Sequence, residues 1–336
     1  MRGARSARPM SAGVTPIATV ALAVIVAYLL ACAWLYHRLT RIPRDSWMFR
    51  STNTPAAFNA PPVETAPYLV PRFETVSLTD RTTRVPIAGW WMPVDDDPQA
   101  PAVIVVHGYT ACRRDERVLL AAGMLHRHGF AALAIDLRNH GDSGRTGGRH
   151  TGGVRESDDV LGAWDWLVKV QGLAPDRIGL LGISLGAASV LIAAGEEPRV
   201  SAVWSDSSYG DLEEASRAEV ERAHVPAFLM PGGHAAARIL DGPGLRAKSP
   251  LLAMAKLGRR AVYITHGTLD TRLDVHFADE LIAAGLAAGS SGGSWIVEGS
   301  EHTDAIVDHP AEYEHRLTDF FAGTLRPPDT EASGAT

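Results

Sequence analysis

Residues 182–186 read GISLG, a serine between two glycines, after the apolar run IGLLGI and before the helix-like LGAASVLIAAG. Gly182 and Gly186 leave room for a sharp turn at Ser184 that aims its hydroxyl outward. The same turn sets the Leu185 amide at a helix amino terminus, where unpaired N–H groups and the positive dipole end can hold a negative oxygen. A serine hydroxyl is a poor nucleophile near neutral pH, so this chemistry needs an imidazole base and a carboxylate to orient it.

Thirteen histidines are available. His126 and His128 close a helix-like stretch, His150 sits in a glycine-rich loop, and His309 and His315 flank or lie on the last helix. His302 stands apart, in the short loop GSEHTD that follows the strand-like SWIVEG. For the acid, Asp270 in YITHGTLD lies just past a buried apolar run. Asp274, well placed to cap the next helix, and Asp206, after AVWS, compete with it. A tetrahedral intermediate also needs two donors for its oxyanion. The turn at His107-Gly108-Tyr109, ending AVIVVHGYT, would bring the Tyr109 amide towards the oxygen that the Leu185 amide contacts, with His107 bracing the loop. Ser184, Asp270, His302 run nucleophile, acid, base, the order of the elbow-bearing hydrolases.

The elements that must carry these residues follow from the apolar pattern. Strand-like runs fall at residues 103–106, 131–135, 178–183, 202–204, 262–265 and 295–297. Helix-length stretches at 116–128, 155–170, 185–194 and 274–288 separate most of them. Apolar strands too continuous for one-sided burial predict an α/β fold with a mostly parallel central sheet and helices on both faces. Ligands bind beyond the carboxyl ends of such strands, where Ser184, Asp270 and His302 all fall. Between Asp206 and Pro250 the rhythm breaks, and a helical cap is expected at about 207–250. Its Ala223, Val225, Ala227, Phe228, Leu229 and Met230 are candidates for an apolar acyl pocket or for the cap's own packing face.

The amino terminus is of another kind. Residues 17–36 read IATVALAVIVAYLLACAWLY, without a charge, and at about 1.5 Å per residue they cover about 30 Å of hydrocarbon. A transmembrane helix is expected there, anchored by Trp34, Tyr36 and Arg38; a cleaved signal, with LLAC at 29–32 as a lipoprotein-like box, is the competing reading. Residues 1–16 form a short basic tail, 37–72 a proline-rich linker or stalk, 73–325 the folded domain and 326–336 a flexible tail. A short basic tail ahead of a long domain favours an extracytoplasmic domain. The chain of 336 residues has a formal charge of −6, but residues 1–50 carry +6 and the remainder −12. An acidic body without basic blocks argues against a nucleic-acid partner. Two cysteines, Cys32 and Cys112, suggest neither a disulfide framework nor a metal knuckle.

Taken together, AVIVVHGYT, IDLRNHGDSG, DRIGLLGISLGAA, ITHGTLD and GSEH resemble the α/β-hydrolase superfamily, in particular its membrane-anchored bacterial serine hydrolases with a small cap. The resemblance covers about residues 75–323. It implies Ser184 as nucleophile, Asp270 as acid, His302 as base, and the Tyr109 and Leu185 amides as oxyanion hole. Lipases of the HGGG type carry a longer glycine run where this chain has HGYT, and prolyl-oligopeptidase-like enzymes commonly a glycine pair where it has Gly186-Ala187. The expected function is hydrolysis of a carboxylic ester or thioester through an acyl-enzyme, on a small or lipid-like acyl substrate, without cofactor or metal. A serine peptidase or amidase is the alternative within enzymes, and a catalytically silent membrane-tethered scaffold the alternative outside them.

Overall fold

The computed structural model describes residues 16–95, 97–241 and 248–325. The basic tail with Arg2, Arg5 and Arg8, the 326–336 tail and residues 242–247 of the cap lie outside the described residues. The described residues open with α1 (Pro16–Thr40), the one helix among them long and apolar enough to cross a membrane. By length and composition it suits a membrane anchor or a signal sequence.

The segment expected as a stalk is not one. Met48, Phe58, Ala60, Tyr68 and Val70 are buried against the body. The Tyr68 hydroxyl donates to Glu314 at 2.9 Å, and a Cβ on Gly123 would lie 2.2 Å from the Tyr68 carbonyl oxygen. Proline-rich sequence cannot join a ladder, but it can still bury irregularly spaced aromatic residues, and here it does.

Two strands follow, β1 (Glu74–Thr79) and β2 (Pro86–Met92), and then the alternation begins. It runs β3 (Ala102–Val106), α2 (Glu116–Arg127), β4 (Ala131–Ile135), α3 (Glu156–Lys169), β5 (Ile178–Ile183), α4 (Leu185–Glu196) and β6 (Ala202–Asp206). The cap contributes α5 (Leu212–Arg222) and α6 (Met230–Asp241), followed by α7 (Pro250–Leu257), β7 (Ala261–Gly267), α8 (His276–Ala288), β8 (Gly293–Val297), α9 (Ala305–Asp308) and α10 (Pro310–Leu325). The eight strands form one sheet in the order β1-β2-β4-β3-β5-β6-β7-β8. β2 is antiparallel to both neighbours, and the rest pair in parallel.

Every residue of β3, β4 and β5 is buried, as a sheet covered on both faces requires. One face carries Leu161, Trp164, Leu191, Met254 and Leu281 from α3, α4, α7 and α8; the other carries Leu119, Met124, Leu317 and Phe321 from α2 and α10. A polar chain ties the second layer to the sheet's centre: Trp204 donates to the Tyr313 hydroxyl at 3.0 Å, and Tyr313 donates to Asp206 at 2.9 Å. The carboxyl ends of β5, β7 and β8 therefore sit on a rigid platform.

Candidate active site

Ser184 joins β5 to α4 with φ 55° and ψ −113°, a left-handed conformation that costs a non-glycine residue about 1–3 kcal/mol. Its surroundings hold it there. The Ser184 amide donates to the Asp206 carbonyl at 2.8 Å. A Cβ on Gly182 would meet the Gly186 carbonyl oxygen at 2.3 Å, and one on Gly186 would meet the Val106 carbonyl oxygen at 2.3 Å. Larger residues at either glycine would push α4 away from the sheet.

The Ser184 hydroxyl lies 2.9 Å from His302 Nε2, and His302 Nδ1 lies 2.6 Å from Asp270 Oδ2. An ionised carboxylate only accepts, so Nδ1 carries the proton and Nε2 is free to accept from the serine. The loop bearing His302 is fixed on both sides: the Thr303 amide donates to Ser207 Oγ at 3.2 Å, and Arg117 Nε donates to the Thr303 carbonyl at 3.2 Å. Asp270 Oδ1 accepts from the Arg272 and Leu273 amides at 2.9 and 2.8 Å. Burial pushes this carboxyl towards its neutral form, but hydrogen bonds from His266, His302 and backbone amides outweigh it and hold its pKa well below the usual carboxylate range.

The competing acids are engaged elsewhere. Asp274 accepts from the His276 amide at 2.9 Å, just ahead of α8. Asp206 is bound by Tyr313 and by Ser207, each at 2.9 Å, and burial raises its pKa.

Leu185 opens α4, so its N–H has no acceptor within the helix. The β3 loop runs beside the serine: a Cβ on Gly108 would contact Ser184 Cβ at 3.4 Å, and Tyr109 is the next residue. His107 is fully buried at the base of this loop. Its Nδ1–H donates to the Gly108 carbonyl at 2.7 Å and its Nε2 accepts from the Leu137 amide at 3.0 Å. Burial lowers its pKa, in keeping with the neutral ring these two bonds require.

Two cavities meet at Ser184. One, of about 170 Å³, lies under the cap and is lined by Leu39, Tyr109, Leu212, Val220, Val225 and Leu273. The other, of about 120 Å³, is bounded by Gly108, Arg117, Val118, His302 and Thr303, and Arg272 borders both. A carbonyl at Ser184 thus has an apolar side and a more polar side. Of the cap residues expected at an acyl pocket, Ala223 and Val225 line the first cavity and Met230 an adjoining one. Ala227 and Phe228 are instead exposed, and Leu229 packs on α1.

Several residues reach the site that are not among those expected there from the sequence. His150, expected only as a loop histidine, borders the cavity under the cap, lies tilted against the Tyr109 ring with centroids 4.8 Å apart and contacts the Leu39 carbonyl at 3.0 Å. His266 Nε2 lies 2.7 Å from the Leu273 carbonyl and 3.1 Å from Asp270 Oδ2. Its position four residues before Asp270, at the end of an apolar run, was the available clue. Among the described residues one trio of metal-type donors converges, Glu214, His276 and Glu280 on α5 and α8. His276 is there tied to Glu214 and Asp274 in exposed ion pairs, as solvated charges commonly are.

Known proteins give this geometry a context. Residues 86–267, just over half of the chain, match the model of the X-Pro dipeptidyl-peptidase (S15) family; Asp270 and His302 lie beyond the matched segment. A 31.7 kDa protein encoded in the traX-finO intergenic region of Escherichia coli is 28% identical over 156 residues, covering 46% of this chain and 53% of that protein. The thiohydrolase aneE of Aspergillus aculeatus is 28% identical over 109 residues, 32% of this chain and 34% of its own. The chain thus spans about half the length, or less, of these two relatives. An esterase of Pyrococcus furiosus superposes with a TM-score of 0.62 at 22% identity, covering 82% of this chain and 98% of that one, and so shares its fold. On the matched segment and the shared architecture, the chain belongs to the X-Pro dipeptidyl-peptidase (S15) family of the α/β-hydrolase superfamily.

Proposed function

We propose that the protein is a serine hydrolase that cleaves a carboxylic ester or thioester through an acyl-enzyme. The observation that carries this reading is the continuous hydrogen-bonded path from Asp270 through His302 to Ser184 at the head of α4. His302 Nε2 takes the hydroxyl proton as Ser184 Oγ attacks the carbonyl carbon, and Asp270 stabilises the imidazolium. The Tyr109 and Leu185 amides hold the oxyanion, each contributing about 3–4 kcal/mol in the transition state. The imidazolium then protonates the leaving group; water, activated by the same His302, releases the acid and restores the serine. None of these steps calls on a cofactor. In this reading α1 anchors the protein in a membrane with the domain on the extracytoplasmic side, which its apolar length and the short basic tail before it support.

The mostly apolar lining beside Ser184, in which Arg38, Glu219 and Arg272 are the charged members, supports an acyl chain as the occupant. Amide cleavage is the second reading, favoured by membership of a family named for a peptidase. Turnover of nitrophenyl butyrate tests the chemistry: Ser184→Ala is expected to lower kcat by about ten-thousand-fold or more while the fold persists. Undiminished hydrolysis by that variant overturns the assignment. Comparing acyl esters with the matching anilides separates esterase from amidase, and a folded wild type inert to both would leave a membrane-tethered scaffold.

A further inference from the structure

Residues 17–36 supply the most apolar twenty-residue span, about the length hydrocarbon requires. Yet one face of that helix is already occupied. Tyr28 stacks near Phe228 at 6.3 Å, Cys32 and Leu35 are buried against Leu229 and Met230, and Leu39 packs at the same cluster. A Cβ on Gly232 of α6 would meet Cys32 Sγ at 2.2 Å, so the two helices are in close contact. The cap therefore covers α1 from Tyr28 onward, and at about 1.5 Å per residue the overlap with the span is about 12 Å deep. Sliding the span towards the amino terminus would exchange Leu29, Leu30 and Trp34 for Pro9, Ser11 and Gly13, a poorer match to lipid.

The cap's outer surface fits the same depth. Pro231, Ala235 and Ile239 recur every four residues on the exposed side of α6, with Leu240 beside them; Phe228, Ile239 and Leu240 are 66%, 81% and 55% exposed. An apolar helical face of this kind settles about 5–10 Å into the boundary between headgroups and acyl chains. Behind it, a cavity of about 320 Å³ between α1 and the cap, large enough for a small-molecule ligand, shares Leu35, Leu39, His150, Leu212 and Ser216 with the space in front of Ser184.

We propose that the cap is seated in the membrane on Phe228 and the outer face of α6, and that the cavity walled by Leu35 and Leu39 receives one acyl chain of a membrane lipid ester directly from the bilayer. The proposal rests on the serine hydrolase reading and names its substrate class. The ester carbonyl reaches Ser184, hydrolysis by water yields a fatty acid and the lipid alcohol, and both leave into the bilayer.

The test uses the full chain in phosphatidylcholine vesicles, with an NBD fluorophore on Ile239→Cys; both native cysteines are buried. Nitroxide-bearing lipids are expected to quench the fluorophore. An unquenched signal, or one that follows protein density instead of nitroxide, assigns this face to water or to a second copy and overturns the seating. In the same vesicles the ratio of nitrophenyl palmitate to nitrophenyl acetate hydrolysis is expected to fall at least tenfold in Leu39→Trp and in Ala237→Phe, whose side chains fill the cavity. Fluorophosphonate labelling reports whether each variant retains its site. An unchanged ratio in labelled variants overturns the acyl route while the serine hydrolase reading stands. A wild type that neither labels nor hydrolyses ends both, and quenching still reports where the cap lies.

Discussion

The carboxyl edge of the sheet and the cap meet at one cavity, but they are held together by different forces. At the edge, Ser184, His302 and Asp270 are linked by short hydrogen bonds, and the loops that carry them are tied to Ser207, Arg117 and the Arg272 and Leu273 amides. In the cap, Leu229 and Met230 lean on Cys32 and Leu35 of α1, and the outer side of α6 exposes large apolar residues. Directional bonds fix atoms to within a few tenths of an ångström, as proton transfer demands. Apolar packing is non-directional and tolerates sliding, which would suit the proposed entry of an acyl chain. In the proposed function, the sheet edge carries the chemistry and the cap and α1 the substrate choice.

The largest expected effect would break that division at the edge. Asp270→Asn replaces the carboxylate that sets the His302 tautomer and is expected to lower kcat by about ten-thousand-fold with little change in KM. Asp206→Asn, which keeps an acceptor for Tyr313, is expected to cost less than about a hundredfold. Steady-state kinetics on a short-chain ester distinguish them, and the reverse ranking would move the acid to β6.

A second variant probes the cap side. Gly232→Leu would thrust a side chain into Cys32 and part α6 from α1, at a cost of about 1–3 kcal/mol in stability. Palmitate turnover is expected to drop several-fold more than acetate turnover. Equal losses for both esters would mean that the cap also positions the catalytic groups.

The smallest expected effect is on stability. The folded pKa of Asp270 lies below its ordinary value near 3.8, so its ionised form stabilises the fold above that pH, and the contribution is lost as pH falls through the folded value. The Tm advantage of wild type over Asp270→Asn is expected to be full at pH 7 and to shrink below about pH 4. Melting curves across this range sharpen the comparison, because a pH-independent gap would mean that the carboxylate's charge is not what holds the edge together.

The same contrast explains what could be read before the fold was known. β3 to β8 are marked by strand-like apolar runs, and the elbow at Ser184 by its two glycines, because both depend on neighbours in sequence. β1 and β2 are not: Glu74–Thr79 is an edge strand in which only Leu78 is fully buried, and Pro86–Met92 begins with a proline and holds a glycine. Nor is the union of α1 with the cap. Tyr28, Cys32 and Leu35 meet partners about two hundred residues away, and a side chain apolar enough for lipid is equally apolar for a cap. His150 and Arg272 reach the site from loops, where no periodicity marks a residue as facing inward.

The proposed chemistry requires Ser184 to be the residue that forms the covalent bond. Full-length protein treated with a fluorophosphonate and analysed by peptide mass spectrometry should carry one adduct, on the peptide holding Ser184, and none in Ser184→Ala. An adduct on another residue, or none in folded wild-type protein, would contradict it.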